Sequence, residues 1–284
     1  NLMFLWLDNM THNDGEISYF NDSVLYEYPN KNYLINYSKK IGIGINWNSY
    51  HYKDYKNFLP SGYFIYNRDN IKFIADIGNI KANYIPGHTH ADTLSYELSI
   101  KGKKFITNLG ISTYENNIIR LNQRGTASHN TVTINDENSS QIWSSFRVGQ
   151  RSKIIKKTIA TENNYISLTA SHNGYSKILN KVIHERNWEL GKNYIIITDS
   201  IMGKFKKAFS NIHIMPHWKM LELVSNKKFK FEINNSVEVI IEVICGKAML
   251  EKKLFSHSFD SQEEIDVISI FFTENIISYK ITWI

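Results

Sequence analysis

Leu94-Ser95-Tyr96-Glu97-Leu98-Ser99-Ile100 alternates apolar and polar side chains without a break. In extended backbone successive side chains point to opposite faces, so this run predicts a strand with one buried and one wet face. The same period of two recurs in Phe229, Phe231 and Ile233, which alternate with Lys230 and Glu232. It recurs again in Ile277, Tyr279, Ile281 and Trp283, interleaved with Ser278, Lys280 and Thr282.

Working outward, short runs rich in Ile, Tyr, Phe, Val and Thr, separated by Asn, Gly, Asp and Lys clusters, predict further strands. They cover Gly62–Tyr66, Lys72–Asp76, Lys104–Thr107, Thr131–Ile134, Ser152–Ala160, Tyr165–Ala170, Ile178–His184, Tyr194–Asp199, Ala208–Ile214, Val237–Ile244 and Asp266–Phe272. A dozen or more antiparallel strands imply stacked sheets, so the fold class is all-β. The four prolines, Pro29, Pro60, Pro86 and Pro216, fall where these strands begin, end or are absent, which is where a ladder tolerates a missing donor. Residues 2 to 10 suit one or two helical turns, stopped by Thr11-His12-Asn13-Asp14-Gly15. A soft boundary is expected near residues 30 to 60, where periodicity is weak.

With 33 basic and 27 acidic residues in 284, the formal charge is +6. That balance favours an anionic partner. The lysines are scattered or paired, as at Lys103-Lys104 and Lys206-Lys207, and form no basic arm for nucleic acid. There is no Gly-rich phosphate loop. The single cysteine, Cys245, excludes an intrachain disulfide. The apolar opening Asn1–Leu7 lacks a basic flank and is too short to span a bilayer, so no membrane span is expected. It reads as the end of something longer upstream.

Chemistry concentrates in two places. Pro86-Gly87-His88-Thr89-His90-Ala91-Asp92 delivers two imidazoles and a carboxylate to a strand entrance, and in extended backbone His88, His90 and Asp92 share a face. Arg124-Gly125-Thr126-Ala127-Ser128-His129-Asn130 repeats the arrangement, and Asn108 closes the short strand between them. Histidine suits both proton transfer and metal ligation near neutral pH. His172, His184, His213 and His217 read as structural. Tyr26, Tyr28, Tyr63 and Tyr66 offer faces suited to stacking on sugar rings, though core packing explains them as well.

These motifs, with Gly110, Ser112-Thr113-Tyr114-Glu115, Phe146-Arg147-Val148-Gly149, Phe20-Asn21-Asp22 and Ser171-His172-Asn173-Gly174-Tyr175, resemble the C-terminal domain of heparinase II/III-like proteins. The resemblance implies stacked antiparallel sheets of supersandwich type over residues 31–284. Residues 1–30 would be the end of an α/α toroid and its connector. It implies a lyase that cleaves uronic-acid polysaccharide, such as alginate or a heparinoid, by β-elimination in the bacterial periplasm or envelope. His88 matches a histidine of the catalytic cleft, and His90, Asn108 and His129 match positions that hold one zinc ion. The family carries an aspartate where this chain has Asn108, and a neutral amide should weaken metal binding. Arg120, Arg124 and Arg147 are candidates to contact acidic sugar groups. The usual catalytic tyrosine lies in the toroid, so the sheet portion alone is expected to be inactive. A carbohydrate-binding or scaffold domain in surface-polysaccharide metabolism is the competing reading, and a cupin-like metal enzyme a third.

Overall fold

A computed structural model describes residues 2–44, 55–58, 61–80, 84–179, 181–225, 227–235 and 237–284. Pro60 and part of the expected boundary region lie outside them. The described residues form stacked antiparallel sheets with three short α-helices, as the periodicity predicts.

The largest sheet has eight strands, in the order β14 (Lys219–Ser225), β15 (Lys228–Ile233), β16 (Val237–Cys245), β19 (Ile276–Trp283), β12 (Tyr194–Met202), β11 (Ile183–Gly191), β10 (Tyr165–His172), β9 (Ile154–Thr161). In β15 and β19 the alternation holds, with Phe229, Phe231, Ile277, Tyr279 and Ile281 buried on one face. Five strands build the second sheet: β1 (Tyr55–Phe58), β2 (Tyr63–Arg68), β3 (Ile71–Asp76), β4 (Tyr96–Ile100) and β5 (Lys103–Ile106). A four-stranded sheet runs β17 (Lys247–Phe255), β18 (Glu263–Phe271), β13 (Ala208–His213), β6 (Val132–Ile134), and β7 (Ile142–Trp143) pairs with β8 (Arg147–Val148).

One apolar core joins the three larger sheets. Phe73 of β3 meets Trp188 of β11 edge-on with ring centroids 6.1 Å apart, and the Tyr96 and Tyr279 hydroxyls lie 3.0 Å apart across the same seam. Burying aromatic rings of this size contributes about 2 to 3 kcal/mol each relative to exposure. A bridge between Ile106 and Ile214, and another between Gly110 and Ser256, stitch the five-stranded sheet to the four-stranded one.

Strand β4 departs from the sequence expectation in two respects. It starts at Tyr96, because Leu94 sits in left-handed backbone at φ 64° within a turn closed by the Ser95 N–H donating to the Asp92 carbonyl. All five of its residues are buried, so its polar face is not wet. The N-terminal segment covers that face: α1 (Leu2–Asn9) packs Trp6 on Tyr63, and Phe20 joins Ile65 and Ile74 in a second small core. His12 bridges Ser99 at 2.6 Å and Glu97 at 3.0 Å, and the Tyr19 N–H also donates to Glu97.

Other differences have local causes. A strand predicted over Ile178–His184 begins only at Ile183, since residues 173–179 fold into turns. Helix α2 (Lys31–Lys40), capped by the Asn30 side chain accepting from the Tyr33 N–H, lies where weak periodicity predicts only a soft boundary. It falls inside the range assigned to the sandwich.

Several buried histidines set an acid limit on this fold. Burial, with Lys104 nearby, holds His12 down to about 4, and burial also depresses His172, His184 and His213. Their unfolded-state value near 6.5 lies above the folded value, so the unfolded chain takes up protons first on acidification. The contribution of His12 is therefore full above about pH 6.5 and is lost between there and about 4, at roughly 1.4 kcal/mol per pH unit, and the other depressed histidines act in the same direction. Urea titrations at pH 7 and 5 should show a drop in stability, about 2 kcal/mol of which the His12→Gln variant removes. Equal midpoints at the two pH values would contradict this account.

Candidate functional site

The segment from Pro86 to Thr93 is not a strand but a loop, so the shared face predicted for His88, His90 and Asp92 does not exist as such. The loop is shaped by turns and anchored by backbone bonds: the Thr89 N–H donates to the Pro86 carbonyl, and the Ala91 N–H to that of Arg124. Gly87 packs under Phe146, with room there for no more than van der Waals contact.

His88 and His90 nevertheless converge, because both reach one carboxylate. His88 Nδ1 lies 2.8 Å from Asp22 Oδ2, and His90 Nε2 lies 2.8 Å from Asp22 Oδ1. Arg120 donates to both oxygens of the same group, with Nη2 2.7 Å from Oδ2. Burial alone would raise the Asp22 pKa, but the bonds from His90 and Arg120 override it and hold the carboxyl far below the usual range. Asp22 is thus an ionised, buried hub for three chain segments. In sequence it stands only within the Phe20-Asn21-Asp22 motif, and no local pattern links it to histidines 66 and 68 residues away.

His129 enters from the turn after α3 (Ile118–Arg124) and the 3-10 turn Thr126–Ser128. Its ring centroid stands 5.2 Å from that of His90, so the three imidazoles do share one locality. His90 and His129 are buried, whereas the His88 side chain is 68 % exposed. Tyr114 and Phe146 flank His88, with centroids 5.9 and 6.0 Å away, leaving its second nitrogen toward the open side of the cluster.

The three arginines separate. Arg120 is buried on Asp22, with Nε donating to the Ser145 carbonyl. Arg124 is buried too, and its guanidinium donates to the carbonyls of Thr89, Ser144 and Arg147; burial and the nearby Arg120 pull its pKa to about 10. Both hold the site loops together from within and present no surface to a polymer. Arg147 is exposed and lines a cavity of about 630 Å³ with Tyr84, Pro86, Gly87, Phe146 and Arg151.

The zinc expectation can be tested against the donor set. In its favour, His90 Nδ1 and both ring nitrogens of His129 are buried without a hydrogen-bond partner, and Asp22 fixes the other nitrogen of His90. Against it, Asn108 Oδ1 accepts from the Asn130 N–H at 3.1 Å, so the free end of the amide is the Nδ2 amino group, which cannot ligate. Among the described residues no three His, Cys, Asp or Glu side chains group to hold a metal. Two imidazoles and an amino group do not fit a structural zinc site, which needs four donors and gains from anionic ones.

Two outcomes follow from these contacts. Asp22→Asn should leave the buried Arg120 without its counter-charge and lower stability by about 3 kcal/mol, read as a shift of the denaturant midpoint; a loss under about 0.5 kcal/mol would show the hub to be dispensable. Asn108→Asp should raise zinc retained after gel filtration, measured by elemental analysis, at least tenfold over the parent; no gain would mean that the imidazole pair is not arranged for metal.

Known proteins can now be set beside this geometry. The sequence matches the family described as "Heparinase II/III-like, C-terminal" over residues 51–270. No curated protein matches. Among solved structures, the fold is similar to heparan sulfate lyase HepC from Pedobacter heparinus, with TM-score 0.78, 15 % identity, and coverage of 99 % of this chain and 46 % of that one. It is also similar to a heparinase III gene product, with TM-score 0.76, 16 % identity, and 99 % and 45 % coverage. A further heparinase III structure gives TM-score 0.77, 16 % identity, and 99 % and 47 % coverage. The chain therefore spans a little under half the length of these lyases. At such identities the structural likeness speaks for the fold, while the match over most of the sequence is what establishes that this chain belongs to the heparinase II/III-like C-terminal family.

Proposed function

We propose that this chain is the sheet portion of a polysaccharide lyase that acts with an α/α toroid on a uronic-acid polysaccharide in the bacterial periplasm or envelope. The observation that carries the reading is His88, an exposed imidazole whose Nδ1 is tied to a buried, ionised carboxylate. That bond sets the ring's orientation and leaves the other nitrogen for a substrate.

β-Elimination removes the proton at C5 of the uronate, pushes charge onto its carboxylate, and expels the oxygen at C4. In this reading His88 either takes the C5 proton or donates a hydrogen bond that stabilises charge on the sugar carboxylate. Arg147 lines the adjoining cavity, suited to a second acidic group of a polyanion. Tyr114 and Phe146 wall the same corner and offer faces for a sugar ring. The acid that protonates the leaving oxygen would come from the toroid.

A second reading, a carbohydrate-binding scaffold without catalysis, draws on one observation: the amide of Asn108 where the family pattern has a carboxylate. Incubating the full-length protein with alginate, heparinoid and surface-polysaccharide panels and following ultraviolet absorbance of the unsaturated product separates the two. The lyase reading expects product from the parent and a loss of roughly 100- to 10,000-fold in kcat/KM for His88→Ala. Because His88 is exposed, the variant should melt with the parent. Saturable binding with no double-bond product in any panel member would favour the scaffold and end the lyase reading.

A further inference from the structure

Asp92 belongs by sequence to the histidine motif, yet its side chain faces a different space. With Asp76, Asn21, Ser61, Tyr63 and His88 it lines a separate cavity of about 360 Å³. Asp92 is 2 % exposed, and its Oδ2 has no hydrogen-bond partner. Asp76, at the end of β3, is partly exposed, and its Oδ1 accepts the Gly78 N–H at 2.9 Å. The Asn21 amide turns its amino group to the Tyr63 hydroxyl at 3.3 Å, which directs the amide's carbonyl end elsewhere. Among the described residues no lysine or arginine lines the cavity, and Lys157 is close enough to lower the Asp76 pKa.

Two carboxylates on one partly dry cavity repel each other, and a buried anionic oxygen without a donor is costly. Such an arrangement persists where a shared proton or a cation offsets the repulsion. We propose that this cavity binds one hard divalent cation, calcium in the first instance, through the carboxylates of Asp76 and Asp92.

The donor chemistry selects the ion. Every polar group on the wall apart from His88 offers oxygen or amide functions, and oxygen-only sets suit calcium or magnesium rather than zinc. Calcium accepts irregular shells of carboxylate, carbonyl and water oxygens, whereas magnesium demands a near-ideal octahedron. An ion there would link three segments distant in sequence: the Asn21 turn, the end of β3, and the loop that carries His88. The site is distinct from the His90–His129 pair and does not depend on the lyase reading.

The test uses the chain stripped with a calcium chelator and refilled with calcium, magnesium or zinc chloride. Calcium at about 1 mM should raise the melting temperature by several degrees and bind one-to-one by calorimetry, with magnesium weaker. Asp92→Asn and Asp76→Asn should each remove most of the shift. The absence of calcium binding in the parent, or an unchanged shift in a folded variant, overturns the proposal. Should neither variant fold, gadolinium, which takes the same oxygen donors, locates the site in the parent. It should broaden the ring signals of His88 well before those of His257, and calcium should reverse the effect; equal broadening of the two also overturns the proposal.

Discussion

Everything at the site hangs from Arg186, a fully buried guanidinium on β11. It donates to Asp199 through Nε and Nη2, to the Ser210 hydroxyl, and to the carbonyls of Leu94 and Asn130. Those last two carbonyls end the loop of His88 and His90 and follow His129 directly. One side chain of the large sheet thereby fixes the relative position of both histidine-bearing segments. Burial would raise the Asp199 pKa, but Arg186 and His184 hold it at about 2, so the pair stays charged and rigid at any working pH. Such pairs add little net stability, and their use here is specificity of position.

Asn130 extends the same constraint sideways. Its amide donates to the carbonyls of Tyr96 and Thr107 and accepts from the His213 N–H, joining β4, β5 and β13 at one point. Asp22 then closes the arrangement from the N-terminal side. The imidazoles are therefore placed by buried polar groups outside their own loop, Arg186 on β11, Asn130 ahead of β6 and Asp22 in an N-terminal turn, and not by the loop's own geometry, which explains how an irregular loop can present two histidines to one carboxylate.

Much of this was legible beforehand, and the misses share causes. Central strands such as β12, β15 and β19 bury one face and announce themselves by alternation. Among the strands overlooked, β1, β14 and β17 lie at sheet edges, where Lys and Glu interrupt the pattern and protect the edge from pairing; β7 and β8 span two residues each, and the central β11 was missed beyond His184 because its buried face carries His184 and Arg186 beside Trp188 and Leu190. The histidine clusters stood out because Pro, Gly and polar residues bunch at strand entrances. Asp22 did not, because a lone carboxylate carries no periodic signal and its partners arrive only through folding. Arg120 and Arg124 were assigned to the polymer on charge alone; α3 buries both, and a cation paired within the protein looks the same in sequence as one awaiting a ligand.

The cover that residues 9–20 lay over β4 has a practical side. Glu97 has no water to solvate it: His12, the Tyr19 N–H, the Asn108 N–H and Lys104 neutralise it from above and alongside. Lys72 likewise donates to the carbonyls of Asp8 and Thr11. Trimming the chain to its sheets would uncover a strip of charge beside an oily seam, an adhesive surface for any exposed strand. A sandwich cut free at residue 20 or later should come out of a cell as aggregate, however intact its strands.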